Sequence, residues 1–184
     1  MTSKICDILE LLELSKPSHC ELLVAGGACR DILVGIEPKD YDILVDIRDY
    51  SYEAAFEYMS KWASNISASN VGKEIVICEA YGHANIPKND FNQRYNLCAK
   101  VVLQDGTHVD LLFVKGTLLG TVASFDSNVN KVYYDIATGW FKRLGLPPEE
   151  GFFVSNNLSA SRVDKAFRHW QEHYQEGTVN DSSD

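Results

Sequence analysis

One short stretch limits the folds open to this chain more than any other. An apolar run, Leu-Leu-Val-Ala at 22–25, is followed by Gly26 and Gly27, and Asp40 and Asp42 come soon after. The pattern predicts a buried strand, a tight turn into a helix, and a second strand that opens with the two aspartates. Because side chains two residues apart on a strand share a face, both carboxylates are expected to point to one spot.

Carboxylates gathered beside a glycine turn suit the chemistry of nucleotides. Two metal ions about 4 Å apart can neutralise a triphosphate and stabilise the attacking and leaving oxygens of an in-line displacement. Gly26 and Gly27 would let backbone N–H groups approach phosphate oxygens without a Cβ in the way. The pattern favours nucleotidyl transfer, although a glycine pair is also typical of an ordinary tight turn and the aspartates could face water.

A third carboxylate strengthens the metal interpretation. Asp110 lies in the run Thr-His-Val-Asp-Leu-Leu-Phe at 107–113, whose apolar residues predict a central strand. A buried carboxylate without a partner is costly, and a bound metal would remove that cost.

Composition narrows the class of protein. The chain has 184 residues and a formal net charge of −9, which argues against a broad nucleic-acid-binding surface. Residues 115–174 carry 7 Lys and Arg against 6 Asp and Glu, so any affinity for polyanions is expected there. The N-terminus lacks the apolar core of a signal peptide, and the sequence contains no membrane-length apolar run, so we expect a cytoplasmic protein without membrane contact. The five scattered cysteines predict buried, reduced thiols and no disulfide-linked partner.

Hydrophobic periodicity predicts an α+β fold, with a small mixed or antiparallel sheet and helices on one face. An Asp105-Gly106 turn between two apolar runs indicates a hairpin. A polar loop is expected at 81–94, and the tail from 177 is expected to be disordered. The predicted helices are 3–15, 28–34, 51–63 and 159–174, and the predicted strands are 21–25, 40–47, 74–79, 97–103 and 108–114.

Three motifs in order resemble one known family. The run Gly-Gly-Ala-Cys-Arg-Asp at 26–31, followed by Lys-Asp-Tyr-Asp-Ile at 39–43, resembles the first motif of the polymerase-beta-type nucleotidyltransferases. The branch it resembles holds the CCA-adding tRNA nucleotidyltransferases and the bacterial poly(A) polymerases. The stretches 124–131 and 158–168 are similar to that branch's next two motifs, and the likeness covers about residues 21–170.

The resemblance implies a role for each matching residue. Asp40 and Asp42 would bind both metals, Mg²⁺ or Mn²⁺, while Asp110 would bind the catalytic one and take the proton of the attacking hydroxyl. The triphosphate would be held by Gly26, Gly27 and Arg30. The remaining predicted contacts are those of Asp126 and Asn130 with the ribose of the incoming nucleotide and of Arg162 with its base.

The chain also departs from the family pattern. Ser124 and Phe125 stand where the family has two arginines, and Ser159 stands where an Asp helps to read the base. The helical body and tail that hold tRNA in the family have no counterpart in these 184 residues. The resemblance therefore implies a nucleotidyltransferase head at 1–135, a short helical neck-like extension at 136–176, and the tail at 177–184.

The expected activity is a metal-dependent transfer of a nucleoside monophosphate from an NTP to a hydroxyl, with the 3′ end of an RNA such as tRNA as acceptor. Two alternatives stay open. The same chemistry could act on a small molecule or a protein, or the chain could be a catalytically idle nucleotide-binding or protein-interaction module.

Other polar residues have simpler interpretations. Asp46 is expected in water at a strand end, His108 in a structural role, and His169 and His173 on a solvated helix face. The aromatic residues Trp140, Phe141, Phe152 and Phe153 could stack on a base, although core packing is the commoner role.

Overall fold

A seven-stranded mixed sheet forms the centre of the fold. In this computed structural model, the described residues are 2–69, 72–79, 95–155 and 158–175. The strands run β3-β4-β5-β2-β1-β6-β7 across the sheet, with β2 and β5 parallel and the other neighbours antiparallel. The strand bounds are β1 Leu22–Ala25, β2 Asp40–Asp46, β3 Gly72–Glu79, β4 Tyr95–Leu103, β5 His108–Val114, β6 Val132–Asp135 and β7 Trp140–Arg143.

Five α-helices accompany the sheet in the part of the chain that the structure describes, and this arrangement confirms the predicted α+β class. The last helix continues into a π-helical turn at Gln171–Gln175. None of the helices within the described ranges is long and apolar enough to cross a bilayer. The helix bounds are α1 Thr2–Ser15, α2 Gly27–Leu33, α3 Tyr52–Ala68, α4 Leu118–Ala123 and α5 Ala160–Trp170.

The larger hydrophobic core lies between α1, α2, α3 and one face of the sheet. Helix α3 is capped by Ser51, whose hydroxyl accepts a hydrogen bond from the Ala54 N–H. It buries Trp62 completely, edge-on to Phe113 of β5, with ring centroids 6.3 Å apart. Burial of a large apolar side chain contributes roughly 1.5–3 kcal/mol, so this face anchors the fold.

A smaller core covers part of the opposite face. Helix α4 and Phe125 pack there against Ala25, Leu44 and Leu112, on the central strands. The uncovered part of this face carries the predicted carboxylates, because Asp42 and Asp110 each lie two residues before a leucine of this cluster.

The structure adds elements that periodicity did not predict. Strands β6 and β7, of four residues each, form a hairpin at the sheet edge, so the sheet extends to Arg143. The predicted domain boundary at 135/136 falls within this hairpin. The predicted helix at 159–174 is α5 with its π-helical turn, tied to the sheet by a hydrogen bond from Arg143 Nη2 to the Tyr174 hydroxyl, 2.9 Å. The predicted loop at 81–94 and tail at 177–184 lie outside the described residues.

The thiols partly differ from expectation. Cys20 and Cys29 are buried and free, and Cys98 is buried, whereas Cys6 is free but exposed. The prediction of burial was wrong for Cys6 because the buried stripe of α1 runs through Ile5, Ile8, Leu9 and Leu12, and residue 6 lies off it.

Candidate active site

The strand pairing brings two of the predicted carboxylates side by side. Asp42 of β2 lies directly opposite Asp110 of the parallel strand β5, and paired residues share a face. Asp40 lies on the same face two residues earlier, opposite His108, and is exposed. Asp42 is partly buried and the Asp110 side chain is 24% exposed, so the two carboxylates lie at the boundary between the small core and solvent.

A lysine that sequence reasoning did not single out extends this arrangement. Lys100 of β4 lies opposite Asp110, and its Nζ is 3.4 Å from Asp110 Oδ2. Asp42, Asp110 and Lys100 thus form a row across three adjacent strands, which we call the charged row. The lysine side chain is 50% exposed.

The carboxylates of the charged row repel one another. Burial raises the pKa of Asp42 from 3.8 to about 6, and the negative charges of Asp110 and Asp40 act in the same direction. The positive charges of Lys100 and Arg30 oppose this increase in the pKa. The site therefore concentrates negative charge that a divalent cation would stabilise.

The donors in the row fit one mode of metal binding. Among the residues that the structure describes, no three His, Cys, Asp or Glu side chains are grouped so that they could hold a metal on their own. Mg²⁺ is usually held by one or two carboxylates together with water and substrate phosphates. Asp42 and Asp110 supply the hard oxygen donors for this second mode, in which the metal arrives with a triphosphate.

The glycine turn lies against the charged row. Gly26 has a φ of 76°, and its N–H donates a hydrogen bond to the Val132 carbonyl, 2.8 Å away. A Cβ on Gly26 would lie 3.3 Å from Phe125 Cε2 and 3.6 Å from Asp42 Oδ2. The dihedral angle favours glycine at this position, and a side chain there would enter the space beside Phe125 and Asp42, a candidate metal ligand. Gly27 opens α2, and a Cβ there would lie 3.8 Å from Arg30 Nη2.

Two further predicted residues contact each other directly. Arg30 Nη1 donates a hydrogen bond to Asn130 Oδ1, 2.8 Å, across 100 residues of sequence. Its Nε donates to Asp31 Oδ1, also at 2.8 Å. The guanidinium is held between α2 and the 3₁₀ turn Asn128–Asn130, which fixes its position close to the glycine turn.

An ion pair joins α5 to the segment between α4 and the 3₁₀ turn. Arg162 Nε lies 3.1 Å from Asp126 Oδ2, and the Asp126 side chain is 8% exposed. The Asp126 carbonyl also accepts a hydrogen bond from the Ser155 N–H, 2.8 Å. Asp126 and Arg162 thus contact each other, and their predicted contacts with ribose and base stay predictions.

Phe125 stands where the motif resemblance implies an arginine, and its side chain is part of a hydrophobic cluster. It is 4% exposed and packs in the smaller core, beside Gly26. The site therefore has an apolar wall at this position.

The other polar candidates are placed as follows. His108 is exposed at the start of β5, and Asp46 pairs with Arg48 at 2.7 Å. His169 is partly buried, and its ring lies beside that of His173, four residues later, with ring centroids 4.6 Å apart. Burial lowers the pKa of His169 to about 4, so the expectation of a fully solvated face was wrong for this residue.

The four aromatic candidates separate into two groups. Phe141 packs against Tyr134, with ring centroids 5.3 Å apart, and Phe152 packs against Phe167 at 5.2 Å. Trp140 is 73% exposed at the sheet edge, and Phe153 is 45% exposed. Core packing thus accounts for the first pair.

Comparison with known proteins finds solved structures of similar shape. A Thermotoga maritima CCA-adding enzyme complexed with tRNA has 19% sequence identity and a TM-score of 0.47, over 75% of this chain and 29% of that chain. An apo CCA-adding enzyme has 18% identity and a TM-score of 0.49, over 92% of this chain and 32% of that chain. A CCA-adding enzyme in complex with CTP has 17% identity and a TM-score of 0.46, over 90% and 32%.

The chain spans about a third of the length of these three proteins. No family model and no curated protein matches the chain.

Proposed function

We propose that this chain is a metal-dependent nucleotidyltransferase that transfers a nucleoside monophosphate from an NTP to a hydroxyl. The observation that carries the proposal is the alignment of Asp42 with Asp110 on parallel strands, beside the Gly26 turn, where a Cβ on Gly26 would lie 3.6 Å from Asp42 Oδ2. Metal ligands and a close backbone approach are the two features that a triphosphate site needs.

Each residue of the site has its own role in the proposed reaction. A divalent cation bound with the triphosphate would neutralise charge on the phosphates and lower the pKa of the attacking hydroxyl. Asp42 and Asp110 would hold that cation, with Asp40 at the solvent side. Asp110 would take the hydroxyl proton as the oxygen bonds to the α-phosphorus, and the bond to the β-phosphate oxygen breaks to release pyrophosphate.

Arg30 suits the triphosphate end of the substrate. Its guanidinium is held by Asp31 and Asn130, so it is fixed before a nucleotide arrives. A charge held in place in this way can bind phosphate with little loss of side-chain entropy.

The acceptor is proposed from the motif resemblance, which implies the 3′ end of an RNA such as tRNA. The contacts of Asp126 and Asn130 with the ribose and of Arg162 with the base belong to this proposal. A nucleotide contact at Asp126 or Arg162 would exchange partners with their ion pair.

A second candidate is a nucleotide-binding module without transfer activity. The observation that favours it is Phe125, which is buried beside Gly26 where the family has a positively charged arginine. A site that lacks this charge could bind an NTP while stabilising the transition state poorly.

One experiment separates the two candidates. The protein is incubated with Mg²⁺, each of the four α-labelled NTPs and total RNA, and the labelled products are separated by size. Transfer predicts label in an RNA fraction, whereas the binding module predicts protection of the protein by NTP in a thermal-shift assay without any labelled product.

Two variants control for contaminating activity. Asp110→Asn removes a proposed metal ligand and is expected to abolish labelling, whereas Asp49→Asn removes an exposed carboxylate just after β2 and is expected to label normally. Equal labelling by both variants would contradict the proposed site.

A further inference from the structure

The charged row contains its own cation. Lys100 Nζ lies 3.4 Å from Asp110 Oδ2, and strand pairing places Asp110 between Lys100 and Asp42. An ammonium at this position neutralises the oxygens that a divalent cation would need.

We propose that Lys100 is a positioning residue that occupies the carboxylate row in the metal-free protein and must move away before a divalent cation binds Asp110. The inference rests on the proposed function in taking Asp42 and Asp110 as the metal ligands.

Charge and flexibility support this exchange. An ammonium and a divalent cation that share one carboxylate repel each other, so bound metal and Lys100 compete for Asp110. Lysine carries its charge on a flexible four-carbon stem, and half of this side chain is already exposed. The displaced ammonium can therefore move into water at little cost.

The exchange also makes metal binding depend on the nucleotide. When metal binds alone, Lys100 loses its contact with Asp110 and gains no new anionic partner. A metal that arrives with a triphosphate brings phosphate oxygens that the displaced ammonium can contact. The site would thus discriminate against metal alone and favour the metal–nucleotide complex.

The test measures binding of Mn²⁺ alone to the full chain at pH 7.5, from the electron paramagnetic resonance signal of free Mn²⁺. Lys100→Met keeps the length of the side chain and removes its charge, and we expect it to bind Mn²⁺ about tenfold more tightly than the wild type. Lys100→Arg keeps the charge and is expected to bind Mn²⁺ like the wild type. Lys100→Gln provides a second neutral variant if Lys100→Met does not fold.

A matched control excludes a general effect of net charge. Lys142→Met removes one positive charge from β7, where Lys142 pairs with Asp135. This variant is expected to bind Mn²⁺ like the wild type. An equal gain of affinity in Lys142→Met and Lys100→Met, or no gain in the neutral variants of Lys100, would overturn the inference.

The Asp42→Asn variant separates this inference from the proposed function. If it loses Mn²⁺ binding while neutral variants of Lys100 bind like the wild type, the metal site stands and only the role of Lys100 is wrong. If Asp42→Asn binds Mn²⁺ like the wild type, the proposed metal site is wrong.

Discussion

The two halves of the candidate site are built in opposite ways. On the sheet, Asp42 and Asp110 bring like charges together, and burial with this repulsion raises the pKa of Asp42. In the other half, around the glycine turn and the start of α5, the polar groups are already matched. Arg30 contacts both Asn130 and Asp31, and Arg162 contacts Asp126. The first half keeps a repulsion that Lys100 offsets only in part, whereas the polar groups of the second half are matched before any ligand arrives.

Substitutions in the two halves should therefore change stability and activity in different ways. Repulsion between the carboxylates of the charged row opposes folding and favours metal binding, so neutralising Asp42 should increase stability while it abolishes the proposed activity. The ion pair of Asp126 with Arg162 favours folding and must exchange partners to contact a nucleotide. Substitutions there should lower stability and change activity less.

The largest expected effect follows from Asp42→Asn. This change keeps the shape of the side chain but removes a metal ligand, and we expect the rate of transfer to fall by about a thousandfold or more. The rate of label incorporation under saturating NTP measures it, with Asp49→Asn as the control. A fall smaller than about tenfold would show that the chemistry lies elsewhere.

The same variant should be more stable than the wild type in a pH-dependent way. The folded-state pKa of Asp42 is raised to about 6, so protonation of Asp42 favours the folded state. This stabilisation is fully present below pH 4 and is lost as the pH rises through 6. In EDTA at pH 7.5, Asp42→Asn should increase the free energy of unfolding by on the order of 2 kcal/mol. Urea denaturation at pH 4 and 7.5 measures this, and a gain that is equal at both pH values would contradict the origin in Asp42.

Much of the central sheet was predictable because its signals are local. The glycine turn, the alternation around Asp42 and the Asp105-Gly106 turn each act within a few residues. The β6–β7 hairpin was missed because strands of four residues are too short to show a period, although Gly139 with a φ of 72° marks its turn. Helix α4 has six residues with a glycine inside, so its propensity is weak and its Thr117 cap was the available signal.

Lys100 could not be found without knowing the loop length of its hairpin. Leu103 N–H bonds to the Thr107 carbonyl, which leaves a three-residue loop that ends at Gly106 with a φ of 85°. This loop places Lys100 opposite Asp110. A two-residue loop would shift the pairing by one and turn the lysine to the other face.

The choice of NTP tests whether the matched half can read a base. Arg162 presents only donors, its Nε is held near Asp126, and Ser159 supplies a neutral hydroxyl where the family has an acceptor carboxylate. We expect kcat/KM values for the four NTPs to differ by about tenfold, or roughly 1.4 kcal/mol. Strict use of CTP and ATP would show that another group reads the base.

The smallest effect concerns the ion pair between Arg162 of α5 and Asp126. The Arg162 side chain is 40% exposed and that of Asp126 is 8% exposed, so solvent screens the attraction and we expect a coupling energy of about 1 kcal/mol. Arg162→Gln should destabilise more than Asp126→Asn, because it leaves a buried carboxylate without its cation. Urea denaturation of both single variants and the double variant completes the cycle. If Asp126→Asn instead increased stability, as Asp42→Asn is expected to do, the two halves of the site would be built alike and the comparison would fail.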